Sequence, residues 1–344
     1  MPETIESIIA SLARERGDYR LHFFDIFPLF DVEADGASGR LALSGRVLEE
    51  SDLQDLLARL KVLLPEQIVD ISGVEILRKP GNPVLAVGTN LTSLHREPSF
   101  IAEQLSQLLN GMQVEILFEQ GRWCYVRQMD GYLGWTYRPY LTTAAVRPPT
   151  HIAIAPVVQL RAAADEDAAV VTRLLGGTSL AMLDERSAWA EVELAGGLRG
   201  WAPLAALRAL KHMPLSADER RAQLPLNAAA MTGTPYLWGG NSANGIDCSG
   251  LAQLVYRWAG LDLPRDADLQ CAAGRKVEPP FRPGDLLFFG EQGEQRNVTH
   301  VAISLGGWQI IHSSRSRNGV YQDNVQAVEG LRDSFLEAAS FFED

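Results

Sequence analysis

The chain has 344 residues, 46% hydrophobic and 22% charged, with 31 basic against 43 acidic side chains and a net charge of −12. At roughly 100–200 residues per domain, this length predicts two to four globular domains. The acid excess opposes a nucleic-acid partner, which needs a positive field, and no apolar run approaches the roughly 20 residues of a membrane span. Met1-Pro2-Glu3-Thr4-Ile5-Glu6 lacks the basic start and apolar stretch of a signal peptide, so the expected location is cytoplasmic. Cys124, Cys248 and Cys271 form no paired framework and no Cys-x-x-Cys spacing, which leaves room for one free thiol with a task.

In chain order, Ile5, Ile8, Ile9 and Leu12 predict a helix over 4–16. His22 follows in an apolar, strand-like segment and reads as structural. Arg40–Val47 alternates like a half-buried strand. Ser51 and Asp52 open a helix whose apolar face is Leu53, Leu56, Leu57, Leu60 and Leu64, and Pro65 stops it. Residues 68–74 form the next strand. This is a small α+β domain over 1–80 without a catalytic constellation.

The middle of the chain repeats at an offset of 66. Leu94, Gly111, Trp123, Gly134-Trp135 and Leu141 recur as Leu160, Gly177, Trp189, Gly200-Trp201 and Leu207. A fixed period carrying Gly and Trp signals a duplicated unit. The short alternating runs of each copy predict a small β-barrel. The pattern resembles bacterial SH3-like domains, over 82–145 and 150–208, with Pro148-Pro149 between them. Glu97 and Tyr132 of the first copy become Ala163 and Leu198 in the second. The first copy is therefore the candidate for touching a ligand and the second for a spacer, although Glu97 and Tyr132 read equally well as ordinary surface residues.

The chemistry lies in 212–344. Residues 234–245 form a loop dense in Gly and Asn, followed by Leu251, Leu254, Val255 and Trp258 at helical spacing. Asp247 is placed as N-cap and Cys248 in the first turn. There the orphan N–H groups and the positive end of the helix dipole favour a nucleophilic thiolate. A cysteine at such a place is more often a small buried hydrophobe, the reading given to Cys124 and Cys271. His300 and His312 change the balance. They sit on two strands joined at Gly306-Gly307-Trp308, so a hairpin brings them together as base and orienting group. A zinc site is the competing use of one Cys and two His, but a fourth ligand at metal spacing is not evident.

Five stretches resemble NlpC-type cysteine peptidases in that family's order: residues 236–240, 245–251, 263–267, 282–289 and 299–303. The resemblance implies an α+β multidomain chain ending in a papain-like α+β domain. It implies Cys248 as nucleophile, His300 as base, His312 as third polar residue and Tyr236 beside the oxyanion, with no metal and no cofactor. Two SH3-like domains ahead of such a domain resemble the γ-D-glutamyl-L-diamino acid endopeptidases of murein peptide recycling. These cut short murein tripeptides or tetrapeptides after L-Ala-γ-D-Glu and require a free N-terminal L-Ala. In that subgroup the amine is met by residues flanking the nucleophile, here Asp247 and Ser249, and by a Glu and a Tyr of the first barrel. Glu97 and Tyr132 are the matches, with Tyr125 as a competitor. An exported general wall hydrolase and an SH3-like binding protein without turnover are the alternatives. Meso-diaminopimelate and L-Lys remain open as the diamino acid.

Overall fold

The computed structural model describes residues 4–5, 7–9, 11, 30–35 (backbone only), 40–143, 147–291 and 297–343. His22 and the end of the first predicted helix lie outside them. Ile5 and Ser7–Ile9 are helical. Ile8 is fully buried among Leu41, Leu43, Val47, Leu53, Leu56 and Leu60.

Strand Arg40–Val47 pairs antiparallel with Phe30–Asp35 and parallel with Ile68–Ile76. Helix α1 (Glu50–Leu63) is the crossover that a parallel pair requires. The helix starts one residue before the predicted opening. Its N-cap is Glu49, and Asp52 still serves the terminus, because its carboxylate accepts from the Glu49 N–H at 2.8 Å.

The two barrels are copies in three dimensions. Strands Val84–Val87, Leu91–His95, Gln104–Leu109, Gln113–Gln120, Trp123–Gln128, Leu133–Tyr137 and Leu141–Thr142 make the first. In spatial order the last strand pairs with the first, then follow the fourth, fifth, sixth, second and third. The second barrel, from His151–Ala153 to Leu207–Ala209, has the same order. The 3-10 turns Arg138–Tyr140 and Leu204–Ala206 fall at the same offset. Gly111 and Gly177 have φ of +81° and +91°, a region that disfavours side chains, which is why both copies keep glycine there.

The C-terminal domain packs helices α2 (Ala217–Ala230), α3 (Cys248–Trp258) and α4 (Ala267–Ala273) against an antiparallel sheet. The sheet runs Arg275–Val277, Phe335–Ser340, Leu286–Glu291, Asn297–Gly306, Gln309–Ser314 and Gly319–Asn324. Leu251, Leu254, Val255 and Trp258 of α3 are buried with Val301, Ile303 and Ile311 of the sheet. This is the core that fixes the start of α3 over the histidine hairpin.

Candidate active site

Asp247 caps α3 as the sequence predicts: its Oδ1 accepts from the Gly250 N–H at 2.7 Å. Cys248 is the first helical residue. The preceding loop lies so close that a Cβ on Gly250 would collide with the Gly240 carbonyl, and one on Gly239 would come within 2.5 Å of the Gln104 carbonyl of the first barrel. The glycines of the loop are therefore a packing requirement.

The Cys248 thiol faces the backbone N–H groups of Ser249 and Val301. Burial, followed by the nearby Asp247 charge, nevertheless pushes its pKa up to about 12. This corrects the expected resting thiolate: desolvation outweighs the favourable helix terminus, so the resting group is a thiol.

The histidines form a directed chain. His300 Nε2 lies 2.7 Å from His312 Nδ1, and His312 Nε2 lies 3.0 Å from Asp323 Oδ2. Arg317 holds Asp323 through Nη1 at 2.8 and 2.9 Å. A carboxylate only accepts, so His312 carries its proton on Nε2 and accepts at Nδ1. His300 must then donate from Nε2, and its Nδ1 is the lone pair left for the thiol proton. Burial, with His312 adding to it, draws the pKa of His300 down to about 3, and burial also lowers that of His312 despite Asp323. Both rings are neutral at neutral pH, as a resting thiol with a free base requires.

Tyr236 lies beside the thiol; burial and then Cys248 raise its pKa. Tyr236, Cys248, His300, His312, Asp266 and Arg315 line one cavity of about 780 Å³.

Other predicted residues are placed differently. Asp247 is buried and occupied: Arg265 Nη2 and Nη1 donate to its two oxygens at 2.6 and 3.1 Å, and the Gly239 N–H donates at 2.9 Å. Ser249 Oγ accepts from Arg265 at 2.9 Å. Asp247 and Ser249 both line the cavity as well, so the flanking pair stands at the site while it holds Arg265 and the helix terminus. Glu97 is exposed in the turn after Leu91–His95 and is not among the residues lining the cavity. Glu103 is the barrel carboxylate that reaches the wall, accepting from Trp238 Nε1 at 2.8 Å. Tyr132 is buried, and its hydroxyl faces the Asp266 carboxyl, with which it interacts directly. Tyr125 packs instead against Phe118 and Trp135 in the barrel core, so Tyr132 is the barrel tyrosine next to the site.

Two functional carboxylates escaped the sequence reading. Asp266 lay inside a motif, residues 263–267, but carried no assigned role. It lines the cavity in front of Tyr132, and burial raises its pKa to about 7. Asp323 had no signal of its own. It is placed by strand pairing, since Tyr321 lies opposite His312 and Asp323 two residues further along.

Residues 233–334 match the model of the NlpC/P60 family, and residues 89–142 and 156–207 each match that of the bacterial SH3 domain. The C-terminal domain is an NlpC/P60 domain. A cysteine thiol, a neutral histidine base and its orienting chain make it a cysteine peptidase, acting on a peptide substrate. The chain is 27% identical over 226 residues to a gamma-D-glutamyl-L-lysine dipeptidyl-peptidase of Bacillus subtilis, covering 62% of this chain and 74% of that one. It is 28% identical over 260 residues to dipeptidyl-peptidase 6 of Lysinibacillus sphaericus, covering 70% and 89%. An NlpC/P60 family protein of Bacillus cereus shares the fold, with a TM-score of 0.68 at 22% identity over 76% of this chain and all of that one.

Proposed function

We propose that this NlpC/P60 enzyme hydrolyses the bond between γ-D-Glu and the diamino acid in short murein peptides with a free N-terminal L-Ala. We place it in the cytoplasm, in cell-wall peptide recycling. Two relatives whose names describe that bond or dipeptide release support the reading.

The observation that carries it is the wall behind Asp266. Leu105 of the first barrel lines the cavity, Gln104 donates to the carbonyl of the lining Trp238, and Tyr132 sits against Asp266, so a substrate has a blocked end there. A carboxyl group stands at that blocked end. An ammonium brought to Asp266 converts a half-protonated acid into a paired carboxylate and gains charge-assisted hydrogen bonds. Asp266 joins Asp247 and Ser249 on the cavity wall as the acidic group for the amine, with Tyr132 behind it, while Glu97 lies off the lining.

In the reaction, the Cys248 thiol passes its proton to His300 Nδ1 and attacks the γ-carbonyl. Backbone N–H at the start of α3, with Tyr236, stabilises the oxyanion. His300 then protonates the departing amine, leaving a thioester on Cys248. Water attacks it, giving its proton to His300, the C–S bond breaks to free L-Ala-D-Glu, and His300 returns the proton to the Cys248 thiolate.

The test is mass spectrometry of products from L-Ala-γ-D-Glu-diamino acid tripeptides, with and without N-acetylation. Release of L-Ala-D-Glu from the free-amine peptide alone is expected. Equal cleavage of the acetylated peptide would replace this reading with a general wall hydrolase.

A further inference from the structure

We infer that Arg315 reads a carboxylate of the bound peptide and is a specificity-determining residue of this site. The inference rests on the proposed substrate class. The cavity wall beyond the histidines carries two guanidinium groups, Arg315 and Arg317. Arg317 is committed: both Asp323 oxygens accept from it, and its guanidinium lies 4.2 Å from the Tyr321 ring centroid. Arg265, behind the nucleophile, is buried and bound by Asp247, Ser249 and Ser106. Arg315 is different. It is exposed, it lines the cavity, and among the described residues its side chain has no hydrogen bond or ion pair. It is close enough to Tyr236 for its charge to favour the phenolate, and Tyr236 adjoins Cys248. An unpaired cation therefore stands on the cavity wall near Tyr236, while Arg317 and Arg265 are neutralised.

A γ-linked glutamyl residue offers a matching anion, because its α-carboxylate stays free, a short aliphatic arm from the attacked carbonyl. An α-linked residue would not present it there. A diamino acid with a side-chain carboxylate, such as meso-diaminopimelate, offers a second one on the leaving side, and L-Lys does not. Guanidinium–carboxylate pairing is the shared chemistry, and planar bidentate geometry favours Arg over Lys for it.

The experiment uses the full chain and four tripeptides: glutamyl α-carboxylate or α-carboxamide, each with meso-diaminopimelate or L-Lys. Wild-type, Arg315→Gln and Arg315→Lys enzymes are compared by kcat/KM. Loss of the recognised carboxylate should cost the wild type about tenfold, largely in KM. Arg315→Gln should cost the same and abolish the discrimination, and Arg315→Lys should retain part of it. Discrimination lost on the acid–amide axis assigns the glutamyl carboxylate; on the diamino acid axis it assigns the leaving group. Equal losses on all four peptides overturn the inference while leaving the substrate reading intact. If the wild type cuts none of the four, the substrate reading falls, and this inference with it.

Discussion

The catalytic residues operate by the protons they hold at rest. Burial keeps the Cys248 thiol and His300 imidazole neutral, so activation is a proton transfer during attack rather than a standing ion pair. Cys248→Ala should abolish hydrolysis with melting unchanged. Asp323→Asn should lower kcat by on the order of 10²-fold or more, because an amide can donate to His312 and release the tautomer that leaves His300 Nδ1 bare. The two limbs of pH dependence separate in kinetics. In the complex, kcat should stay flat as pH falls from 6.5 and drop only where His300 protonates, near 3. For free-amine peptides kcat/KM should fall as pH drops through about 7, where Asp266 protonates in the free enzyme. Asp266 also has a stability consequence. Its folded pKa lies above the 3.8 of an ordinary aspartate, so the folded state is fully favoured below that value and loses stability as pH rises through about 7. Asp266→Asn should raise the melting temperature at pH 8 and leave it unchanged at pH 3.5, while impairing use of free-amine peptides. Equal melting shifts at both pH values would contradict the assignment.

At the scale of elements, α3 explains why this site was so legible. Gly-rich loop, Asp N-cap, Cys and apolar positions at helical spacing are local signals, and each depends on the neighbouring chain alone. The histidine hairpin was legible for the same reason, from two alternating strands about a Gly pair. What the element needs beyond this is not local. Asp247 is both cap and counter-ion to the buried Arg265, with side-chain exposures of 8% and 2%. Asp247→Ala removes the cap and leaves a guanidinium buried and unpaired. It should destabilise the domain by about 3–5 kcal/mol in denaturant titration, far above the roughly 1 kcal/mol of a cap alone. A loss near the lower figure would mean that Arg265 relaxes into solvent.

Across the whole molecule, the duplicated barrels grip opposite ends of α3. The first barrel holds the loop before the nucleophile. Gln107 receives the Asn241 N–H at 3.1 Å and the Ser242 hydroxyl at 2.9 Å, and its carbonyl accepts from Asn241 Nδ2 at 2.8 Å. The second barrel holds the far end, where Arg208 donates to the Trp258 carbonyl at 2.8 Å and Gly176 packs on the Trp258 ring. The second copy is thus more than the expected spacer. The N-terminal domain reaches the first barrel through Arg78, whose Nε lies 3.3 Å from Glu115 Oε2. Gln107→Ala should raise KM for free-amine peptides several-fold with little change in kcat, because it loosens the wall without touching the chemistry. A fall in kcat with unchanged KM would place the first barrel in the chemical step instead.

The repeat, the barrels, the catalytic helix and the Cys-His-His set are legible along the linear chain. Those features are written in periodicity and short spacing, which nearby backbone geometry obeys. The assembled fold sets the protonation of Cys248 and His300, because desolvation depends on what the whole core covers. It likewise decided that Asp247 belongs to Arg265, that Glu97 lies off the cavity, and that Asp266 and Asp323 complete the site. Each depends on which charges meet across elements far apart in the chain, and pairing across a fold leaves no period in the sequence.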